Sequence, residues 1–405
     1  MTDLAAPVAK ANRIELLDVL RGLALLGILM VNTPSYAMPQ EITGDPSLSP
    51  LGFEEPAQRV WWLMRTFFEQ KFINLFTMLF GVSLFLVGGE RDDPVREPVL
   101  TRRLLWLSAF GVIHGAFIWW GDILLHYAAI GFLMFLFRSW APRRLIIVGL
   151  ILFAVGLLLN GGALGLVQLL PDEQYRTLMS GEVNKAIESY QGGLGEVQLA
   201  NAADWGALAI ASLFVFGPRT LGMMMIGLAL YKTGVLTGRR SAGFYAALAL
   251  AGAAALAVIG WSAAREVQSL ADGGTGMGMI SFPNHFLSPV ATLGYIALMA
   301  LALRGAAFRW VGAVLAPVGR MAFTNYIAQS LIMSTIFYGG RGLGWYGRLD
   351  WPEWSLIVLG VWAVQLVWSP LWLSRFSMGP LEWVWRRLSY GRAIPLRRTP
   401  EPTAA

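Results

Sequence analysis

The sequence predicts an all-α, polytopic transmembrane bundle of about ten spans, with both termini on the cytoplasmic side of a bacterial inner membrane. Three observations predict it. Hydrophobic residues make up 56% of the 405 residues and charged residues only 14%, whereas soluble domains carry about 25% charged residues, so too little polar surface exists to coat a water-soluble globule. The apolar residues are gathered in blocks long enough for a helix to cross hydrocarbon. The basic residues are concentrated in alternate gaps between those blocks.

In chain order the blocks predict spans near residues 16–33, 60–87, 103–120, 123–137, 145–160, 207–231, 242–261, 288–303, 318–338 and 355–374. The first ends in Ser35-Tyr36-Ala37, a pattern like a signal-peptide cleavage site. Asp18 and Arg21 lie inside that block, so it is read as a retained helix. The second carries Arg65, Glu69, Lys71 and Asn74 spaced around a helix, and its length stands its first turns in the interface. The third and fourth are joined by a tight turn through Gly121. Residues 161–206 mix Gly with acidic residues around one helix-like stretch near Glu182 to Tyr190, and are expected to form a small extracytoplasmic cap.

Gaps on the side of the N-terminus hold Lys10, Arg13, Arg91, Arg96, Arg102, Arg103, Arg138, Arg143, Arg144, Lys232, Arg239, Arg240, Arg304, Arg309 and Arg320, plus six arginines after residue 374, or 21 of the 31 basic residues. Cytoplasmic loops retain Lys and Arg in this way. Topology therefore accounts for the formal charge of +6 better than a nucleic-acid partner does, since no basic stripe forms. Trp61 with Trp62, Trp119 with Trp120, Trp351 with Trp354, and Trp383 with Trp385 are expected in aromatic belts at the membrane interfaces. The absence of cysteine excludes disulfides, thiolate metal sites and cysteine nucleophiles. No P-loop, HExxH or GxSxG pattern occurs, and three scattered histidines predict no metal site.

Ionisable side chains inside spans are costly and are therefore site candidates. On the outer side, Asp122 and His126 are four apart and His114 lies in the preceding span, so a carboxylate-oriented imidazole acting as general base is one reading. The structural alternative is that Asp122 caps a helix and both histidines make polar contacts between spans. Arg219, in FGPRTLGMMM, is an isolated charge that must find an anion, a carbonyl or water. Lys71, Asn74 and His285, the last in SFPNHF, are further candidates for a polar cavity. On the inner side, Asp18 and Arg21 share a face of the first span, and Arg102, Arg103 and Arg320 are expected at the same depth. They are positive-inside anchors or an anion pocket for the phosphates of an acyl carrier. Thr324, Asn325, Tyr326 and Gln329 either tie helices together or line a polar path.

The segments RIELLDVLRGLALLGILMVN, KFINLFTMLFG, GDILLHYAAIGF, PVGRMAFTNYIAQS and GPLEWVWRRLSYG resemble, in order, the YeiB-like family of membrane proteins. The resemblance implies a place in the transmembrane acyltransferase superfamily, with its polysaccharide O-acetyltransferases and lysosomal heparan glucosaminide N-acetyltransferase. Those enzymes move an acyl group from a cytoplasmic thioester to an extracytoplasmic sugar. The implied reaction here takes acyl-coenzyme A as co-substrate, with no tightly bound cofactor, and an envelope glycan or lipid as acceptor. The implied division is an acyltransferase-like half, 1–232, and a YeiB-like half, 233–405, ending in a basic cytoplasmic tail. One departure stands out. The O-acetyltransferases place a catalytic His eleven positions after the first-span Arg, where this chain has Asn32 after Arg21. An amide cannot take a proton at neutral pH, so the base passes to His114, His126 or His285, or the reaction is absent. The rival reading is a transporter that uses the same buried charges as a proton or solute path.

Overall fold

The computed structural model describes residues 13–91, 93–167, 171–272, 274 and 282–398; Lys10 lies outside them. Among the described residues all regular structure is helical, apart from one isolated antiparallel bridge between Phe376 and Arg397. That is what apolar blocks must do in lipid, where each backbone N–H and C=O needs an internal partner. The helices are α1 Glu15–Ala37, α2 Gln40–Gly44, α3 Glu55–Leu63, α4 Lys71–Gly88, α5 Glu97–Phe117, α6 Leu124–Phe135, α7 Pro142–Val167 and α8 Asp172–Gln191. They continue with α9 Leu194–Val215, α10 Gly217–Lys232, α11 Ala242–Ala271, α12 Phe282–Ala302, α13 Arg309–Arg320, α14 Ala322–Phe337, α15 Trp351–Arg375 and α16 Pro380–Tyr390.

Among the described residues six stretches are long and apolar enough to cross a membrane: α1, α3 with α4, α7, α11, α12 and α15. The pair α9–α10, bent by 61°, makes a seventh if it is one span. The other three expected spans do not qualify on length and composition. α5 is diluted by Arg102, Arg103 and His114; α6 has 12 residues and α14 has 16, about 18 Å and 24 Å at 1.5 Å per residue against a core of about 30 Å. α6 is largely buried in the bundle, whereas α5 packs one face on α6, α9 and α16 and leaves Leu105, Ile113 and Phe117 exposed on the other. α1 lies at the centre of the bundle, in contact with α4, α13, α14 and α15.

Close crossings rest on glycine. A Cβ on Gly319 would stand 1.9 Å from the Asp18 carbonyl oxygen, and one on Gly22 2.1 Å from that of Leu315, so α1 and α13 meet backbone to backbone, as small residues allow in membranes. This contact fixes Asp18 and Arg21 against Arg320.

Three differences from the expected elements matter for the site. The second span is broken: a π-helical turn, Met64–Phe68, is followed by Gln70 at φ 66° before α4 begins. Such a left-handed non-glycine residue is strained and needs surroundings that hold it. The expected extracytoplasmic loop is helical through α8 and the first half of α9. There Asn201 Nδ2 donates to the Gly115 carbonyl at 2.8 Å, binding α9 along α5. The polar face that reads as loop is a helix-packing face. Finally, the expected aromatic belt is mostly interior. Trp61, Trp119, Trp351 and Trp354 are buried with Tyr36, Tyr190 and Tyr338 in one core at the end remote from the termini, because the polar helix α8 and its neighbouring loops cover that end.

Candidate functional site

A cavity of about 320 Å³ opens at the end of the bundle that carries the termini. Its mouth is lined by Arg13, Arg21, Arg96, Arg103, Arg320 and Arg386, with Asp18 and Glu382 among them. Below the mouth the walls turn apolar through Leu25, Ile28, Leu79, Phe80 and Leu107, and the floor is Ile123, Leu124, Tyr127 and Tyr326. Along α1 the lining runs from Asp18 to Ile28, about 15 Å of helix. An adjoining recess of about 1240 Å³ shares Arg13, Asp18, Arg320 and Arg386 and adds Arg375, Arg392, Arg397 and Arg398. The chain after α16 folds back to make it, with Ser377 N donating to the Leu396 carbonyl at 2.9 Å.

The mouth is positively charged beyond its own carboxylates. Arg21 Nη1 pairs with Asp18 Oδ1 at 2.9 Å and its Nη2 reaches Ser83 Oγ at 3.1 Å. Arg103 lies over the Trp385 ring at 4.0 Å. Burial, with Arg13 and Arg21 nearby, holds the Arg386 guanidinium below its ordinary value. Glu382 offers the arginines little compensation. Its Oε1 accepts from the N–H groups of Phe323 and Thr324 at 2.7 and 3.1 Å, and its Oε2 from Thr324 Oγ1 at 2.5 Å, so it caps α14. Burial pushes its carboxyl up nonetheless. Guanidinium groups gathered over an apolar shaft suit an amphiphile with an anionic head, because each presents a planar fork of donors to phosphate or carboxylate.

One turn below the floor runs a buried hydrogen-bond chain. Asp122 Oδ1 is 2.8 Å from His114 Nδ1, His114 Nε2 is 2.9 Å from Ser330 Oγ, and Tyr36 OH donates to Ser330 Oγ at 2.8 Å. A carboxylate only accepts, so Nδ1 carries the proton; in the neutral tautomer Nε2 then accepts from Ser330, whose hydroxyl also lies 3.3 Å from the Tyr326 carbonyl. The Tyr326 ring, 5.1 Å from the imidazole between centroids, lies between this chain and the shaft.

The expected cluster of Asp122, His126 and His114 is thus assembled only in part. α6 starts at Leu124, so Asp122 precedes the helix and the shared-face argument for residues four apart does not reach it. Its carboxylate instead caps α6, accepting from Leu124 N at 3.1 Å and Leu125 N at 2.9 Å, and turns back to α5. His126 faces α10, with Nε2 2.9 Å from Thr220 Oγ1. Of the inner arginines, Arg21, Arg103 and Arg320 line the cavity while Arg102 does not. Neighbours on a helix point about 100° apart, and Arg102 is exposed, bonded to the Pro98 carbonyl one turn back. Asn32 is half-buried one turn of α1 beyond Ile28 and lies outside the cavity lining. Asn325 ties α14 to α15 through Ser369 Oγ at 3.0 Å and the Trp368 indole at 2.8 Å.

The remaining candidates form a separate cluster towards the other end. Arg65 pairs with Glu69 at 2.6 Å and Glu266 at 2.8 Å. Lys71 Nζ donates to the Arg65 carbonyl and to Asn284 Oδ1, next to the half-buried His285 at the start of α12. Arg219 donates to Asn74 Oδ1 at 3.3 Å. Sequence reasoning missed Ser330, Tyr36 and Glu382 as site neighbours. The signal for two of them was present, since Ser330 closes PVGRMAFTNYIAQS and Glu382 lies in GPLEWVWRRLSYG.

Residues 230–392 match the family model described as a protein of unknown function, DUF418. The chain is 32% identical to "Uncharacterized protein YxaH" of Bacillus subtilis (strain 168), over 95% of its own length and 96% of that protein. It is likewise 32% identical to "Uncharacterized protein YeiB" of Escherichia coli (strain K12), over 94% of its length and 97% of the relative. The "Uncharacterized 39.9 kDa protein in amylase 3'region" of Bacillus acidopullulyticus is 26% identical over 96% of this chain and 97% of its own length. No solved structure matches the chain.

Proposed function

Because the chain belongs to the YeiB-like family of multi-pass membrane proteins, being 32% identical to two of its members over almost its whole length, we propose that it is a bacterial inner-membrane acyltransferase, taking its acyl group from a cytoplasmic thioester such as acyl-coenzyme A. The observation that carries this reading is the arginine-lined mouth continuing into an apolar shaft that stops one turn short of Asp122, His114 and Ser330. The excess of Lys and Arg at the termini's end supports a cytoplasmic mouth. The phosphates of the donor lie on Arg21, Arg103, Arg320 and Arg386, and the acyl chain fills the shaft. A shaft of about 15 Å favours chains longer than acetyl.

In the proposed step the hydroxyl of an envelope glycan or lipid takes the place at His114 Nε2 that Ser330 Oγ holds. Movement of the Tyr326 ring joins shaft and imidazole. Nε2 accepts the hydroxyl proton, the oxygen attacks the thioester carbonyl carbon, the carbon–sulfur bond breaks, and the leaving thiolate receives the proton. Asp122 fixes the tautomer and stabilises the imidazolium that forms meanwhile.

The test is donor binding. Purified protein in detergent, titrated with acetyl- and octanoyl-coenzyme A, is expected to bind both saturably, the longer chain more tightly. Arg103→Ala is expected to weaken both by about tenfold or more, the worth of one charged hydrogen bond. Absence of binding by either thioester up to millimolar concentration would overturn the donor assignment. A second reading, solute transport, is favoured by the 61° break between α9 and α10, since broken helices build many transporter sites. Uptake driven by a proton gradient in reconstituted vesicles, without release of thiol, would select it.

A further inference from the structure

The recess beside the mouth continues the space in which the donor's phosphates are placed, since Arg13, Asp18, Arg320 and Arg386 line both. Its volume is about 1240 Å³, more than the roughly 300–1,000 Å³ that holds most small ligands, and far more than one phosphate group needs. Its walls are the start of α1, the ends of α13 and α15, α16 and the chain that follows it. That last segment is tied down by backbone groups and one indole. Ser377 N donates to the Leu396 carbonyl at 2.9 Å, Arg398 N to the Arg375 carbonyl at 3.3 Å, and the Trp383 indole to the Ile394 carbonyl at 2.7 Å. The guanidinium groups of Arg375 and Arg398 take no part in these ties, and both residues are exposed.

Seven arginines line the recess against two carboxylates, Glu15 and Asp18, and Asp18 is already paired with Arg21 at 2.9 Å. The guanidinium groups are close enough to act on one another. Burial, with Arg13, Arg398 and Arg386 nearby, holds the Arg320 guanidinium below its ordinary value despite Asp18, and Arg320 Nε is buried without a hydrogen-bond partner. Retention of basic residues asks only that they lie on one side of the membrane. It does not ask the chain after α16 to turn back and bring Arg397 and Arg398 to the same hollow as Arg13 and Arg320. Like charges gathered in this way repel, and an anion among them relieves that repulsion. A phosphomonoester suits the place, because it carries about two negative charges near neutral pH and three acceptor oxygens for guanidinium forks.

We propose that the recess receives the far end of the donor's head group, a phosphomonoester beyond the phosphates at the mouth, such as coenzyme A carries on the ribose of its nucleotide. This rests on the acyl-donor reading and narrows it. The donor is then a free nucleotide thioester and not a phosphopantetheine attached to a carrier protein, which ends at a single phosphodiester and brings no anion to Arg375 and Arg398. The concave shape agrees, since a hollow of this size encloses a small molecule, whereas a protein partner needs a broad matching surface.

The experiment titrates the purified full chain in nonionic detergent, at one ionic strength, with octanoyl-coenzyme A, octanoyl-3'-dephospho-coenzyme A and octanoyl-4'-phosphopantetheine. Loss of the 3'-phosphate is expected to weaken binding by about tenfold or more, the worth of one charged hydrogen bond. A chain carrying both Arg375→Ala and Arg398→Ala, at exposed positions tied through their backbones, is expected to bind octanoyl-coenzyme A no better than the dephospho compound and to bind the latter as the wild type does. Equal affinity for all three compounds would overturn the recess site, leave the donor cavity standing and point to a protein carrier. A double variant that weakens octanoyl-coenzyme A and its dephospho form by the same factor would also overturn it, because a diffuse field does not single out one phosphate. No binding by any of the three would remove the donor reading itself and this inference with it.

Discussion

The two ends of this bundle use buried charge in opposite ways. At the end with the termini, Arg13, Arg21, Arg96, Arg103, Arg320 and Arg386 face open space, while one nearby carboxylate serves Arg21 and the other caps α14. Towards the far end, Arg65, Glu69 and Glu266 close upon one another at 2.6 and 2.8 Å around a strained break in the second span. An ion pair in the interior satisfies itself and leaves no reason for a ligand. Unmatched arginines around a cavity keep their hydrogen-bonding capacity for something that arrives. The same residue types therefore read as scaffold in one region and as binding surface in the other, and the difference lies in which partner each finds.

The largest expected effect tests whether the chain linking these regions is chemical. Asp122→Asn keeps only one of the two acceptors that cap α6 and cannot hold an imidazolium, so thiol release per folded molecule is expected to fall by about 10² to 10⁴-fold, with stability lowered by about 1–3 kcal/mol for the backbone donor that faces the amide. Equal rates in the variant would reduce Asp122 to a helix cap. Next comes the closed cluster: Arg65→Ala leaves Glu69 and Glu266 facing each other unpaired, a loss of about 3–5 kcal/mol. A drop in Tm without loss of donor binding in the folded fraction would mark that end as scaffold, and lost donor binding would show that the two ends do not act separately.

A smaller effect comes from Glu382. Removing its carboxyl in Glu382→Ala frees two backbone donors and a hydroxyl at the start of α14, about 1–3 kcal/mol. Glu382→Gln keeps an acceptor for the backbone pair and is expected to lose less. The pH dependence has a definite sign. Burial raises this carboxyl, so the folded state holds the proton more tightly than the unfolded chain. The resulting stabilisation is full below the ordinary carboxylate range and is lost as pH rises through the raised value. Wild-type minus Glu382→Gln Tm is thus expected to decline with rising pH, and a flat difference would refute it.

Much of the architecture was legible because it follows from what lipid tolerates: long apolar blocks become helices, and an Asp and Arg three apart pair on one face. His114 was also legible, since a tight turn brings its helix beside Asp122. Ser330 was not, because its contact with His114 spans 216 positions and no local pattern encodes such a meeting. α9 was hidden by its own packing: Gln198, Asn201 and Asp204 read as a solvated loop, yet the first two bond backbone carbonyls of α5 and the third accepts from Tyr190. The tryptophan pairs misled for the same reason, since composition shows that a ring prefers an interface without showing whether protein or lipid supplies it.

The smallest expected effect is the sharpest probe of the open end. Arg102 and Arg103 are consecutive, of equal charge, and equally well explained by retention of basic residues on one side of the membrane. Only helical geometry separates them: Arg103 faces the cavity over Trp385 at 4.0 Å, while Arg102 is exposed on the outside of α5. Arg102→Ala is therefore expected to change stability by no more than about 0.5 kcal/mol and to leave octanoyl-coenzyme A affinity unchanged, while Arg103→Ala weakens it. If the two substitutions weaken binding alike, and added salt removes the effect of both, the arginines act as a diffuse field that concentrates anions at the membrane surface. The cavity would then lose its claim to be a shaped site. If they differ, the face of one helix turn decides the outcome, because a diffuse field would not distinguish neighbours on one helix.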